Sequence, residues 1–290
     1  MVRNILASFV AVIGLVALYL IWTPAKSSRP ARPPATAPSL KIAPTSDALS
    51  FARLGKQTIA VSSYANGRVT GLPVGNEGED AISLVNRLGY DGVSALIAKG
   101  GVPITANVAE LAVPVDLLSR HIAAGTNYRE HAEEATVEGG PFLFAKYVAP
   151  TPSRASVSAG DALLDYEVEL CLVTLDATST TQRAKGGLML CNDVTNRAKL
   201  MRNVDVAHPE SGEGFTTGKS APGYLPVGDL FVVPRDLNRY VAGLTLQLSV
   251  NGQERQRTPA TMWIWDLDRL FAEAGKLRDR EWAYEGSIAR

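Results

Sequence analysis

From Leu111 onward the chain is cut into short apolar runs by Gly, Pro and Asn, a punctuation that admits short strands and few helices. Residues 168–175, 187–190, 230–233 and 244–250 are the clearest strands. Ahead of them Asn66-Gly67 separates Ile59-Ala60-Val61 from Val69-Thr70, a two-residue hairpin signal. Helical spacing is found over residues 79–88, through Ile82, Val85 and Leu88, and again over 262–276, with Trp265, Leu267, Leu270 and Phe271 on the apolar side. A second short helix is expected over 91–98, closed by Gly100-Gly101. The expectation is a mixed, β-rich α+β roll, and 290 residues are enough to bury a substantial core.

Two of these strands end in carboxylates. In Leu164-Asp165-Tyr166-Glu167-Val168-Glu169-Leu170, Glu167 and Glu169 stand two apart, so on a strand both point to one side. Asp193 follows the apolar run Gly187-Leu188-Met189-Leu190-Cys191. Carboxylates gathered at one place resist ionising together unless a cation lies between them. An all-oxygen set suits Mg2+ or Mn2+, with Ca2+ a further candidate, and does not suit zinc. A lone Glu-x-Glu is more often a solvated strand face, so the surrounding residues have to decide.

Charge excludes one class of function. Lys plus Arg number 29 and Asp plus Glu number 29, with no long block of either sign, so no field favours nucleic acid. Residues 212–219 hold Gly212, Gly214, Gly218 and Lys219, but neither glycine spacing fits a phosphate-binding P-loop. Residues 5–22 form an uncharged apolar run that as a helix would reach about 27 Å, enough for a bilayer core. An N-terminal transmembrane helix is therefore expected, retained as an anchor in preference to a cleaved signal, with the domain placed on the periplasmic side in preference to the cytoplasmic. Residues 23–46, rich in Pro, Ala and Ser, read as a tether. Cys171 and Cys191 share strand faces with Glu169 and Asp193, and are expected as buried thiols, with a disulfide as the alternative.

Six segments, in order, carry a resemblance. They are Gly125-Thr126-Asn127-Tyr128-Arg129-Glu130-His131-Ala132-Glu133-Glu134, Pro141-Phe142-Leu143-Phe144-Ala145-Lys146, the run from Asp165 to Leu170, Asn192-Asp193-Val194-Thr195-Asn196-Arg197, Thr217-Gly218-Lys219-Ser220, and Val250-Asn251-Gly252-Gln253-Glu254-Arg255-Gln256. Together, over residues 48–272, they resemble the fumarylacetoacetate hydrolase family. The resemblance implies a small N-terminal lobe over 47–115 and a catalytic β-roll domain over 116–290. It implies Glu167, Glu169 and Asp193 as ligands of Mg2+ or Mn2+. It implies His131 and Glu134 as the pair that activates water, with Glu133 the substitute if the match slips by one. Lys219 would stabilise negative charge as the bond breaks. Lys146, Arg197 and Tyr128 fall on the substrate side, Arg197 chiefly by orienting the carboxylates.

The implied reaction is hydrolysis of a carbon–carbon bond in a 2,4-diketo acid of acylpyruvate or fumarylacetoacetate type. Isomerases, hydratases and decarboxylases of 2-oxo- or 2-hydroxy-dienoic acids share the scaffold, and a catalytically degenerate tethered binding domain is the rival from another class. A homodimer is expected from the same likeness. Two departures stand out: the chain reaches Arg290 without a Thr-Gly-Thr-Pro-like segment after the late helix, and Leu200 stands where several members carry a polar residue. His121 and His208 are expected to be structural and surface residues, and Trp263 and Trp265 to serve packing.

Overall fold

The computed structural model describes residues 39–128, 140–159, 162–175, 186–205, 207–277, 279–285 and 287–289. The chain opens with an antiparallel meander of β1 (Ala48–Leu54), β2 (Gln57–Ala65) and β3 (Arg68–Val74). Asn66 and Gly67 make the turn with φ of 52° and 71°, the left-handed pair that a tight hairpin demands. Next comes α1 (Ala81–Lys99), started by the Asp80 carboxylate, which accepts from the Ser83 amide. Gly89, at φ 69° and ψ 167°, breaks it, so the two helices expected over 79–98 run end to end with a kink. Then β4 (Ile104–Asn107) returns to β3.

The second half supplies β5 (His121–Gly125), β6 (Phe142–Lys146), β7 (Thr151–Pro152), β8 (Leu164–Asp165), β9 (Val168–Thr174), β10 (Gly186–Asn192) and β11 (Thr195–Asn196). After these follow α2 (Arg197–Asn203), α3 (Phe215–Lys219), β12 (Pro226–Val227), β13 (Phe231–Pro234) and α4 (Leu237–Ala242). The chain continues through β14 (Thr245–Val250), β15 (Gln253–Pro259), α5 (Leu267–Lys276), β16 (Trp282–Tyr284) and β17 (Ser287–Ala289). The main sheet runs β4-β3-β2-β1-β13-β10-β12-β7, with β9 also paired to β10. Strands from both halves thus share one sheet, and the β-rich α+β expectation holds.

Alternation along β9 and β10 divides their side chains between two cores. Met189, Cys191, Cys171 and Val173 join Leu49, Phe51, Phe231 and the buried side of α1. Leu170, Leu172 and Leu188 face Val241, Ala260 and Leu267 on the other side. Gly187 lets the Phe231 ring lie directly on the backbone, since a Cβ there would sit 2.1 Å from the ring.

Three expectations need correction. The late helix starts at Leu267, not 262, because Asp266 caps it and Asn127 holds the preceding residues extended. The cysteines are joined as a disulfide, not free. Cys191 pairs with Glu169 and Met189 with Cys171, so the two cysteines are diagonal neighbours on one face with Cα atoms 5.9 Å apart. The N-terminal transmembrane helix, and with it the membrane-anchored location, is withdrawn. Among the described residues no helix is long and apolar enough to cross a membrane, and residues 5–22 lie outside them. Even α1, the longest of the described helices, is kinked and carries Asn86, Arg87, Asp91 and Lys99.

Candidate active site

Strand register builds the carboxylate group. Val168 lies opposite Asn192 and Glu169 opposite Cys191. The Asp193 amide, donating to the Glu167 carbonyl at 2.9 Å, extends that ladder by one step. Residues opposite one another in an antiparallel pair share a face. Glu167, Glu169 and Asp193 therefore share one face at the open end of β9 and β10; the spacing of the two glutamates implies the first pair, and strand register adds Asp193. Asn192 adds a side-chain oxygen that accepts from the Glu167 amide at 3.1 Å.

Two lysines and an arginine close on these acids. Lys146, the last residue of β6, donates to Asp193 Oδ1. Lys219, the last residue of α3, reaches Asp193 Oδ2 at 2.5 Å and Glu167 Oε2 at 3.1 Å. Both lysines are almost fully buried, at 2% and 4% exposure, which a charged side chain tolerates only when paired. Arg197 opens α2 beside β11, and Thr195 of β11 pairs with Asp165 of β8. That pairing brings Arg197 Nη2 to 2.8 Å from Glu167 Oε1 and Nε to 2.8 Å from Asp165 Oδ2. Arg197 thus orients acids, and Asp165 joins the network as its second anchor.

Backbone contact between α2 and α3 aims Lys219 inward. Gly218 lies against Leu200 so closely that a Cβ would meet the Leu200 Cβ at 2.7 Å. Leu200 therefore serves as the floor under α3. The Phe144 ring, whose centre is 5.9 Å from the Lys219 ammonium, packs with Phe142 and Phe215 on the other side.

The charges respond to this crowding. Burial pushes the Glu169 carboxyl up to about 8, and the charges of Glu167 and Asp193 add to the rise. Burial alone would also raise Asp193, but Lys219 and Lys146 outweigh it and hold Asp193 below the usual carboxylate range. Burial pulls Lys146 down, only partly offset by Asp193. For Lys219 the attraction of Asp193 and Glu167 overcomes burial and raises it.

Tyr128 stands edge-on to Trp263, with ring centres 6.3 Å apart. Its buried hydroxyl has no hydrogen-bond partner among the described residues. Burial pushes it up to about 12, with the charge of Glu169 contributing, so it stays a proton donor. Asn127 holds this corner by taking the Trp265 amide at 2.8 Å and giving to the Trp265 carbonyl at 3.2 Å. Thr126, strained at φ 54°, donates to the Gly140 carbonyl at 3.1 Å. His131, Glu133 and Glu134 lie outside the described residues. His121 binds the Val148 carbonyl at 3.0 Å and exposed His208 pairs with Asp205, so neither belongs to the site.

The donor chemistry fits a hard divalent cation. Among the described residues nothing hydrogen-bonds the Glu169 carboxylate, and its reluctance to ionise is what a cation would relieve. As they stand, no three acidic, imidazole or thiol groups among the described residues lie close enough to share one ion. The Lys219 ammonium lies between Glu167 and Asp193, and an incoming ion would share those oxygens with it. In the sequence Asn127, Asn192 and Gln256 stand out only as members of motifs. Their carboxamides were visible in the sequence, but the peptide groups they bind were not.

Comparison with known proteins points to one family. The family model for the fumarylacetoacetate (FAA) hydrolase C-terminal region matches residues 120–278. The chain is 25% identical over 207 residues to 2,4-didehydro-3-deoxy-L-rhamnonate hydrolase of a Sphingomonas species, covering 67% of this chain and 69% of that one. An uncharacterized protein of Archaeoglobus fulgidus is 28% identical over 186 residues, covering 59% of this chain and 66% of its own length. Among solved structures, a probable 2-hydroxyhepta-2,4-diene-1,7-dioate isomerase from Mycobacterium abscessus aligns with TM-score 0.49 and 23% identity over 78% of each chain. Fumarylpyruvate hydrolase from Pseudomonas aeruginosa, in complex with Mn2+ and pyruvate, aligns with TM-score 0.44 and 22% identity over 60% of this chain and 77% of that one.

Proposed function

The chain belongs to the fumarylacetoacetate hydrolase family, and we propose that it is a divalent-metal-dependent hydrolase cleaving a carbon–carbon bond in 2,4-diketo acids. The observation that carries this reading is the pairing of two buried lysines, Lys146 and Lys219, with Asp193 and Glu167 on the strand face that also bears Glu169. The hydrolase named in Sphingomonas, which matches two thirds of the chain, favours hydrolysis over isomerisation.

Glu167, Glu169 and Asp193 would hold Mg2+ or Mn2+, which when bound acts as a Lewis acid toward substrate oxygens. The chain's own groups do the rest. The Lys219 ammonium, kept charged by its acidic partners, donates toward the oxygen that gains negative charge. Lys146 and the buried Tyr128 hydroxyl bind substrate oxygens. Arg197 holds Glu167 and Asp165 in place. The family resemblance assigns the removal of a proton from water to His131 together with Glu134, which would act as the base. The resulting hydroxide adds to the distal carbonyl carbon, and the adjacent carbon–carbon bond breaks. Its electron pair goes to the departing carbon, which takes up a proton, giving a carboxylic acid and a 2-oxo acid.

The test is turnover of a panel of 2,4-diketo acids by the full chain with Mg2+ or Mn2+, and then with chelator. Cleavage that chelator abolishes and metal restores supports the reading. A folded, metal-loaded protein that turns over none of the panel would turn it toward the degenerate binding domain.

A further inference from the structure

We infer that Gln256 is a positioning residue for the carboxylate group, its side-chain amide taking the place of a neighbouring strand beside the peptide that joins Glu167 to Glu169. This rests on the metal-site reading above.

In an antiparallel pair, alternate residues turn their N–H and C=O away from the partner strand. Glu167 turns toward β10, since its amide meets Asn192 and its carbonyl meets Asp193. Val168 therefore points the other way, at the edge of β9 and at its first residue, where a strand frays most readily. Gln256 occupies that edge. Its Oε1 accepts from the Val168 amide at 3.1 Å, and its Nε2 donates to the Val168 carbonyl at 3.1 Å. One carboxamide thus makes both bonds that a flanking strand would make. The peptide between two carboxylates is gripped from both sides, by Asn192 within and Gln256 without.

The supporting strand is shaped for this. The β14–β15 hairpin is a two-stranded sheet of its own, and most of β15 is exposed, whereas Gln256 is half-buried. The pairing shifts between Leu248 opposite Gln256 and Ser249 opposite Glu254, which leaves Arg255 as an extra residue. Such a bulge re-aims the side chain beside it, and the residue beside this one is Gln256. Releasing Val168 frees Glu167 and Glu169 to swing independently, and what suffers first is their joint hold on a cation.

The probe is Mn2+ titrated into the full-length protein, for wild type, Gln256→Met, Gln256→Glu and, as a control on the same hairpin, Gln253→Met. Gln256→Met keeps the length and loses the amide. It is expected to weaken Mn2+ binding by roughly 10- to 100-fold, the range for residues that orient metal ligands, while amide exchange at Val168 and Glu169 quickens. Gln253→Met is expected to bind as wild type. Gln256→Glu separates position from charge and decides the matter should Gln256→Met fail to fold. It adds a negative charge that by attraction alone would tighten binding, so weaker binding there supports the positioning role. Unchanged Mn2+ affinity in folded Gln256→Met, or tighter binding in Gln256→Glu, would overturn it. A wild type that binds no Mn2+ would instead sink the metal-site reading, and this inference with it.

Discussion

Asp193 meets Glu167 twice, once through its backbone amide, which donates to the Glu167 carbonyl at 2.9 Å, and once through the Lys219 ammonium that both carboxylates share. Strand pairing and charge pairing therefore reinforce one another at the same two residues. Any change to one acid is felt by the ladder, by two buried lysines and by the other acid.

Asp193→Asn should be costly to the fold itself. The variant leaves the Lys146 and Lys219 ammoniums buried with one fewer negative charge, and breaking a buried ion pair on one side costs about 3–5 kcal/mol. Thermal or denaturant unfolding of the metal-free variant checks this, and a loss below about 1 kcal/mol would show the pair to be solvated.

Metal affinity should depend on pH through Glu169. Its carboxyl is raised to about 8, so below that pH the metal-free protein keeps the proton and binding must release it. Mn2+ binding is therefore expected to tighten about tenfold per pH unit on approaching 8 from below, and to level off above. Without metal the sign for stability is the reverse. Between the ordinary glutamate value and 8 the unfolded chain is ionised while the native one is not, so stability falls as pH rises across that window. Titrations at several pH values, with proton release measured in weakly and strongly ionising buffers, test both. In Glu169→Gln the pH dependence should disappear.

Gly218→Ala should act through Lys219. The new Cβ would lie 2.7 Å from the Leu200 Cβ and 3.0 Å from its Cα, so α3 has to move off α2. Overpacking of this kind costs about 1–3 kcal/mol, and turnover should fall further than stability because Lys219 is the next residue. Trimming the floor with Leu200→Ala in the same chain should restore part of the turnover. Activity equal to wild type in Gly218→Ala would contradict the packing argument.

Reduction of Cys171–Cys191 should loosen both the fold and the site. The bond closes a separation of 20 residues, for which chain entropy gives about 3 kcal/mol. It also ties the strand bearing Glu169 to the strand leading into Asp193. The double Cys→Ser variant is expected to melt lower and to bind Mn2+ more weakly, compared with wild type kept free of reductant.

The sequence carried much of this because its signals were local. The alternation of Glu167 and Glu169 and the Asn66-Gly67 hairpin each follow from neighbours along the chain. What stayed hidden needed partners far away. Nothing near Gln256 says that it will grip Val168, and nothing near Asn127 says that it will hold Trp265 and so shorten the helix expected from 262. The expectation of free thiols fails because the disulfide depends on a diagonal register between two strands, and spacing shows only that the cysteines share a face.

The most direct measurement is Mn2+ binding by the full-length wild type, read by electron paramagnetic resonance alongside Glu169→Gln and Asp193→Asn. The account predicts one saturable site per chain in wild type, much weakened in both variants, with Mg2+ competing for it. Stoichiometric binding that survives in both variants, or none in the folded wild type, would contradict the assignment of Glu167, Glu169 and Asp193 as the metal-holding acids.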